Sequence, residues 1–165
     1  MTDAQAILKL SHFTSDPIDA VVSKSQEEAQ YFKPSGLWVS VDGPDDWPSW
    51  CRSEEFGDID NKIRYTVDLN GHCDLLILST SEQIKDFNKK YGFIPSIYKN
   101  SLAEIGWINW KKVANDYQGL IIAPYCWELR LDPDVMWYYG WDCASGCIWA
   151  AEAVKSITPV AVASE

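Results

Sequence analysis

The amino-acid sequence predicts an α+β fold that is rich in strands, with short helices between them. Three observations carry this prediction: apolar and polar residues alternate in several short segments, helix-start signals lie between those segments, and continuous apolar runs occur late in the chain. With 165 residues, the chain is expected to form a single domain over 1–165 that buries a real core. Only the tail at 158–165 is expected to fray.

The composition excludes some classes of partner. The chain carries 14 basic and 24 acidic residues, a formal net charge of −10. Such a charge repels a phosphate backbone, so direct nucleic-acid binding is not expected. No apolar run could span a bilayer, and the N-terminal segment lacks the pattern of a signal peptide. We therefore expect a cytoplasmic protein that does not bind membranes and whose acidic surface suits a partner protein with a basic surface.

The cysteines and histidines do not form a metal-binding pattern. The five cysteines show neither a CxxC pair nor zinc-type spacing, and we expect buried thiols. His12 and His72 are too few and too far apart for a metal site, so no metal is predicted.

In the first third of the chain, local patterns predict a strand, a helix and a second strand. Residues 7–13 alternate apolar and polar side chains, as a strand does. Within 15–30, Asp16 is a plausible N-cap and Pro17 stands at the first helical position, which predicts a helix. Residues 37–41 are short and β-prone, and a turn-rich stretch follows them.

The middle of the chain predicts a hairpin followed by a helix. Residues 62–69 alternate like a strand, a turn sequence follows, and 74–79 is typical of a more buried antiparallel partner. A helix over 79–92 is indicated by the capping-box spacing of Ser79 and Glu82, with a glycine at its end.

The last third predicts a short helix, two further strands and a final helix. The short helix lies over 109–117, and the continuous apolar run at 119–126 is typical of a buried strand. An extended strand or long loop is expected over 127–142, then a last strand at 145–149 and a helical segment at 150–157.

Three segments carry residues that suit chemistry: "SHFTS" at 11–15, "GLWVS" at 36–40 and "GWDCASGCIW" at 140–149. Together they resemble the signature of the ADP-ribosyltransferase superfamily. In that family an early strand holds His or Arg followed by Ser or Thr, and a second strand, after a helix and a glycine, carries an aromatic residue or Ser. A late acid then precedes an apolar run that contains an aromatic residue. The order and spacing are similar to those of the small H-x-T branch, which occurs in bacteria and phages as toxins, effectors and counter-defence proteins.

The resemblance spans residues 7–157 and implies both a fold and an activity. The implied fold has a split antiparallel β-sheet core with short flanking helices. The implied activity is that of a mono-ADP-ribosyltransferase, which cleaves its substrate NAD and transfers ADP-ribose to a macromolecular acceptor, a protein being favoured. The chain departs from the family pattern because the late acid is Asp142 instead of Glu, no paired acid precedes it, and Trp38 stands where Tyr is common.

The resemblance assigns the catalytic role to Asp142 and a supporting role to His12. Cleavage of the nicotinamide bond builds positive charge on the ribose, which a carboxylate at Asp142 would stabilise. A neutral imidazole at His12 is expected to donate a hydrogen bond to a ribose hydroxyl. Thr14, two residues along the same strand face, is expected to bond the nicotinamide amide or a ribose oxygen.

The remaining NAD-binding residues are expected to supply a backbone clamp and stacking surfaces. The backbone around Phe13 would hold the carboxamide, and Trp38 or Trp47 would stack on an aromatic ring of NAD. Ser40 is expected on the same strand face as Trp38. No P-loop or GxGxxG motif is present, so NAD would be bound without a Rossmann-type phosphate cradle. The basic residues available for its pyrophosphate are Arg52, Arg64, Lys33 and Lys24, which the sequence does not rank.

Each of these residues also has a purely structural interpretation. His12 could be a hydrogen-bonded structural histidine, and Asp142 could be a turn acid that caps the backbone after it. Trp50 is favoured as a packing residue. Glu128 and Arg130 could lie near the pocket, but an exposed ion pair between them on a strand is favoured.

Two other functions fit the sequence. One is a non-enzymatic inhibitor or immunity-type protein, which would bind the basic surface of a partner through its acidic charge and aromatic patches. The other is an NAD glycohydrolase, which would use the same pocket and differ only in the acceptor.

Overall fold

The computed structural model describes residues 8–28, 32–99 and 105–161. The strands, in chain order, are β1 (Leu10–Thr14), β2 (Leu37–Val41), β3 (Ile63–Leu69), β4 (Leu75–Leu78), β5 (Gly92–Phe93), β6 (Trp107–Ile108), β7 (Gly119–Ile122), β8 (Ser145–Ile148) and β9 (Val154–Pro159). The described α-helices are α1 (Trp47–Ser53), α2 (Ser81–Tyr91) and α3 (Trp110–Asp116). Shorter 3-10 segments include Trp127–Leu129, Pro133–Gly140 and Ala151–Ala153.

Seven strands form one sheet in the order β4-β7-β8-β2-β1-β3-β9, and β5 and β6 form a separate ribbon. The β4–β7 pair is parallel, whereas every other pair in the sheet is antiparallel. The predicted α+β class is therefore confirmed. The described strands make one continuous hydrogen-bonded series that contains a single parallel pair, and the split antiparallel core that the resemblance implies stays a prediction.

Several predicted elements are confirmed, and their ends follow from local hydrogen bonds. The strands predicted at 7–13, 37–41, 62–69, 119–126 and 145–149 correspond to β1, β2, β3, β7 and β8, and the helices at 79–92 and 109–117 correspond to α2 and α3. The α2 cap is Thr80 and not Ser79, because the Thr80 side chain accepts a hydrogen bond from the Gln83 backbone N–H.

The helix predicted over 15–30 is wrong for its described residues, which form no regular element. Two of their backbone N–H groups donate to distant residues in place of the i−4 carbonyls. The N–H of Ile18 donates to the hydroxyl of Tyr65 at 3.1 Å. The N–H of Lys24 donates to the carbonyl of Trp149 at 2.8 Å. Contacts with the sheet therefore override the local helix signals.

The predicted hairpin between 62–69 and 74–79 is also wrong. The second segment forms β4, but β4 pairs in parallel with β7 and lies at the opposite end of the sheet from β3. The chain between β4 and β7 contains α2 and α3, which provide the long crossover that a parallel pair requires. Continuous apolar runs such as those of β4 and β7 are typical of buried parallel strands.

Two predictions near the C-terminus need correction. The segment 150–157, predicted to be helical, forms a 3-10 turn and then β9, which pairs with β3. β-branched Val154 and Ile157 suit that strand. The expected frayed tail at 158–165 overlaps the end of β9, and 162–165 lie outside the described residues.

The segments that were expected to be a turn and an extended loop both contain helical structure. The turn-rich stretch after β2 holds α1, whose N-cap Asp46 accepts a hydrogen bond from the Ser49 N–H, with Pro48 in the first turn. The region 127–142 is built from 3-10 segments instead of a strand.

The core lies where α2, α3 and the Pro133–Gly140 segment meet the sheet. Its largest fully buried side chains are those of Trp110, Trp137, Trp141 and Tyr138. Trp137 lies edge-on to Trp110 with ring centroids 6.0 Å apart and edge-on to Trp141 with centroids 6.5 Å apart. This aromatic packing fixes the segment that leads to β8. No helix in the described ranges is long and apolar enough to cross a membrane.

Candidate functional site

A cavity of about 290 Å³ opens beside the adjacent strands β8, β2 and β1. Six of the seven residues assigned to NAD cleavage or binding line it: His12, Phe13, Trp38, Ser40, Trp47 and Asp142. They come from β1, β2, the start of α1 and the loop before β8, which are far apart in the sequence. The fold therefore brings most of the candidate residues into one site.

Strand register explains why these residues meet. Ser40 of β2 lies opposite Ser11 of β1 and opposite Ser145 of β8, so the three strands are aligned at this level. Gly36, just before β2, allows the close approach of β8. A Cβ atom there would lie 2.5 Å from the carbonyl oxygen of Ile148.

Asp142 lies three residues before β8, and its side chain is 23% exposed. Its Oδ1 accepts a hydrogen bond from Nη2 of Arg130 at 3.2 Å. Its Oδ2 has no partner among the residues that the structure describes. The carboxylate is thus held through one oxygen, and its other oxygen remains available to a ligand.

The pairing of Arg130 differs from the one expected. Arg130 was predicted to form an exposed strand ion pair with Glu128, but both residues lie in or next to a 3-10 turn. Glu128 instead accepts a hydrogen bond from the hydroxyl of Ser81. Because that turn directs the two side chains to different neighbours, Arg130 pairs with Asp142.

His12 is held in one orientation by the backbone of β2. Its Nδ1 lies 2.6 Å from the carbonyl oxygen of Trp38. Since a carbonyl oxygen only accepts, Nδ1 must carry the proton, and in the neutral ring Nε2 is then an acceptor. The expected hydrogen bond from a neutral imidazole to a ribose hydroxyl is therefore reversed in direction: the hydroxyl would donate to Nε2.

Thr14 does not line the same cavity as His12. It lines a neighbouring cavity of about 250 Å³, which shares Phe13 and Trp47 with the first. Its hydroxyl makes a local turn with Asp16, donating to the Asp16 carbonyl at 3.1 Å and accepting from the Asp16 N–H at 3.2 Å. Thr14 is the last residue of β1, so its hydroxyl bonds to the turn that follows the strand. It was expected to face the ligand together with His12.

The cavity has aromatic walls that contact one another. Trp38 packs against Trp141 with ring centroids 4.9 Å apart, and Nζ of Lys33 lies 5.1 Å from the Trp38 ring. Trp47 stacks on Trp50 with centroids 5.0 Å apart and ring planes at 15°. The packing interpretation of Trp50 fits this contact, and one face of Trp47 is already used.

Ser40 serves as a local support in the cavity wall. It is buried, and its hydroxyl oxygen accepts a hydrogen bond from the backbone N–H of Trp47 at 2.9 Å. This bond ties the start of α1 to β2 and holds the Trp47 ring beside the cavity.

The structure also separates the four basic residues proposed for a pyrophosphate. Arg52 pairs with Asp60 at 2.6 Å, and Arg64 pairs with Asp42 at 2.8 Å. Lys24 is not among the residues that line the cavity, whereas Lys33 is. Lys33 is therefore the basic residue best placed to meet an anionic group at this site.

Cys143, which follows Asp142, lines the cavity as a buried thiol. Burial raises its pKa to about 12, so the thiol stays protonated at neutral pH and is a poor nucleophile. Cys147 is likewise buried, and burial raises its pKa strongly. All five cysteines are free and buried, as predicted. Within the described ranges no group of three or more His, Cys, Asp or Glu side chains could hold a metal ion.

Five residues of the cavity wall were not assigned to the site from the sequence: Ser11, Val39, Trp141, Cys143 and Ser145. Trp141 directly precedes Asp142, and this neighbouring position was the signal in the sequence that could have placed it in the cavity wall. The two serines could be found only from strand register, because they lie opposite Ser40. No protein-family model, no curated protein and no solved structure matches this chain.

Proposed function

We propose that the protein is a mono-ADP-ribosyltransferase that cleaves NAD and transfers ADP-ribose to a macromolecular acceptor, a protein being favoured. The observation that supports this proposal is the meeting of His12, Trp38 and Asp142 at one cavity. The three residues come from separate segments whose order already resembles that of the superfamily. The ADP-ribosyltransferase-like fold belongs to the same proposal and is supported by the adjacency of β1, β2 and β8.

Cleavage of NAD depends on the negative charge of a carboxylate more than on a group that donates or accepts a proton. The bond between ribose C1 and the nicotinamide nitrogen breaks, and nicotinamide leaves with the bonding electron pair. The ribose then carries positive charge until a nucleophile of the acceptor forms the new bond and loses its proton to solvent. The negative charge of Asp142, presented through Oδ2, would stabilise that cation in a partly water-excluded site.

The other residues would bind and orient NAD. Nε2 of His12 would accept a hydrogen bond from a ribose hydroxyl, because Nδ1 is committed to the Trp38 carbonyl. A volume of about 290 Å³ lies at the lower end of ligand pockets, so the cavity would enclose one end of the dinucleotide. Lys33 would meet the phosphates, and the neighbouring cavity beyond Phe13 and Trp47 offers room for the remainder.

A thermal-shift titration with NAD tests this proposal, with His12→Ala as the site variant and His72→Ala as its matched control. His72 is exposed and remote from the cavity. NAD at about 100 times its Kd should stabilise the unaltered protein by roughly 2.7 kcal/mol, and Tm should rise by several degrees. His72→Ala should keep this shift, and His12→Ala should lose most of it. Absence of a shift together with absence of nicotinamide release would refute the proposal.

A second candidate, a non-enzymatic acidic binding protein, is favoured by exposed apolar side chains. Trp127, Leu131 and Tyr139 are 54%, 73% and 48% exposed and belong to one segment between β7 and β8. Exposed apolar side chains on a chain of net charge −10 suit a basic partner with an apolar anchor. This candidate predicts salt-sensitive binding that needs no NAD and survives Asp142→Asn.

A further inference from the structure

Arg130 lies next to Asp142 but outside the cavity. Asp142 lines the cavity and Arg130 does not, although their side chains are joined at 3.2 Å. Both side chains are largely buried, at 25% and 23% exposed. The guanidinium therefore supports the carboxylate without itself facing the cavity.

The same guanidinium contacts three further groups. Its Nη1 donates to the hydroxyl oxygen of Tyr125 at 2.9 Å and to the carbonyl oxygen of Trp141 at 3.5 Å. The Tyr125 hydroxyl in turn donates to the same Trp141 carbonyl at 2.6 Å. The Arg130 guanidinium also lies over the ring of Tyr139, 5.4 Å from its centroid.

These contacts join Arg130, Tyr125 and the Trp141 carbonyl into a hydrogen-bonded frame beside Asp142. Arg130 binds both the side chain of Asp142 and the backbone carbonyl of the residue before it, so the carboxylate is fixed relative to its own backbone. A planar guanidinium suits this arrangement, because its donors point in fixed directions. Tyr125, which is 4% exposed, anchors the frame to the core.

The surrounding loop has other supports that do not involve Arg130. The N–H of Cys126 donates to the hydroxyl of Tyr138 at 2.9 Å, and Nε1 of Trp137 donates to Oδ1 of Asn88 at 3.0 Å. Trp137 and Tyr138 are fully buried. The loop is thus tied down independently, and among the residues that the structure describes Arg130 alone donates a hydrogen bond to the Asp142 carboxylate.

We infer that Arg130 is a positioning residue for Asp142, an inference that rests on the proposed NAD-cleaving function. Arg130 occupies Oδ1 and thereby directs Oδ2 towards the ribose, so that the carboxylate is oriented before NAD binds. Its loss would leave a carboxylate that is present but free to rotate. A displacement of about 1 Å in a reacting group can cost on the order of 100-fold in rate.

The test compares Arg130→Met with Lys85→Met, which removes a cation from the ion pair with Asp132 in the same loop. Nicotinamide release and the NAD thermal shift are measured for both variants and for the unaltered protein. Arg130→Met should lower kcat by about 10- to 100-fold with a nearly unchanged NAD shift. Arg130→Lys should recover part of kcat, and Lys85→Met should behave like the unaltered protein.

Chemical rescue distinguishes positioning from a structural role. Added methylguanidinium should restore nicotinamide release to Arg130→Ala, whereas it should not restore Asp142→Asn. If Arg130→Met keeps full kcat, or if its loss follows a fall in Tm and no rescue occurs, the inference is overturned while the proposed function stands. If the unaltered protein neither binds nor cleaves NAD, the proposed function fails and the inference falls with it.

Discussion

Two arginine–aspartate pairs, Arg64–Asp42 and Arg130–Asp142, contact the wall of the cavity. They differ in how many oxygens of the carboxylate accept a hydrogen bond. Asp42 is 26% exposed and Asp142 is 23% exposed, so burial does not separate them. Asp42 accepts from the Ser11 hydroxyl through Oδ1 at 2.7 Å and from Arg64 through Oδ2 at 2.8 Å. Within the described part of the chain, Asp142 accepts only from Arg130, through Oδ1. A further hydrogen bond can therefore form at Asp142 without breaking an existing one.

The two arginines also have different roles. Arg64 lies on β3, and it joins Ser11 of β1, through Nε at 3.1 Å, to Asp42 at the end of β2. It is 45% exposed and links three neighbouring strands. Arg130 is more buried and is tied to the loop that carries Asp142. The first pair supports the sheet, whereas the second orients a carboxylate at the cavity.

The largest expected effect separates the two carboxylates in catalysis. Asp142→Asn should lower the rate of nicotinamide release by about 10²- to 10³-fold, because the amide removes the charge that stabilises the ribosyl cation. Asp42→Asn should keep the rate within a few-fold. Single-turnover measurement of nicotinamide release checks both variants, and equal losses would mean that the carboxylates do not differ as described.

A smaller effect in the opposite direction is expected for stability. Asp42→Ala should lower the free energy of unfolding by about 1–3 kcal/mol, because the hydroxyl of Ser11, 1% exposed, would lose its acceptor. Asp142→Ala should lower it less than Asp42→Ala does, since Arg130 keeps Tyr125 and the Trp141 carbonyl as hydrogen-bond acceptors. Urea denaturation of the two variants measures the difference, and the reverse order would contradict it.

The smallest effect concerns the thiol beside Asp142. Burial raises the pKa of Cys143 from 9.0 to about 12, so the folded protein favours the protonated thiol. Its contribution to stability is complete below pH 9 and is lost as the pH rises towards 12. At pH 10 the loss from this group should be about 1.4 kcal/mol relative to pH 8.

The matched variant for this effect is Cys143→Ala. Between pH 8 and pH 10, the free energy of unfolding of this variant should fall by about 1.4 kcal/mol less than that of the unaltered protein. Part of the fall remains, because other groups with raised pKa values, such as Cys147, are still present. An identical fall in both proteins would show that Cys143 ionises as easily when folded as when unfolded.

Patterns within a few residues predicted many of the elements. Alternation predicted β1, β2 and β3, and helix-start signals with a closing glycine predicted α2. These signals are local, because side-chain period and capping depend on residues only a few positions apart. The three segments with His12, Trp38 and Asp142 could be selected in the same way.

The errors arise where distant contacts override local preference. The segment 15–30 carries helix signals, yet its described backbone bonds to β3 and to the loop after β8. The strand-like segment at 74–79 pairs with β7 and not with β3, its neighbour in sequence. The segment 150–157 has a helical composition but supplies the edge partner of β3. Sheet pairing decides these cases, because it satisfies backbone groups over long separations.

The sequence by itself determined which residue types were available: a carboxylate at Asp142, an imidazole at His12, aromatic rings, and a strong negative charge. Only the tertiary structure decided that Arg130 holds one oxygen of Asp142 and that Thr14 is turned away into a neighbouring cavity. The physical reason is distance. A hydrogen bond forms only when donor and acceptor come within about 3.5 Å, and packing between segments that are remote in sequence sets which atoms come that close.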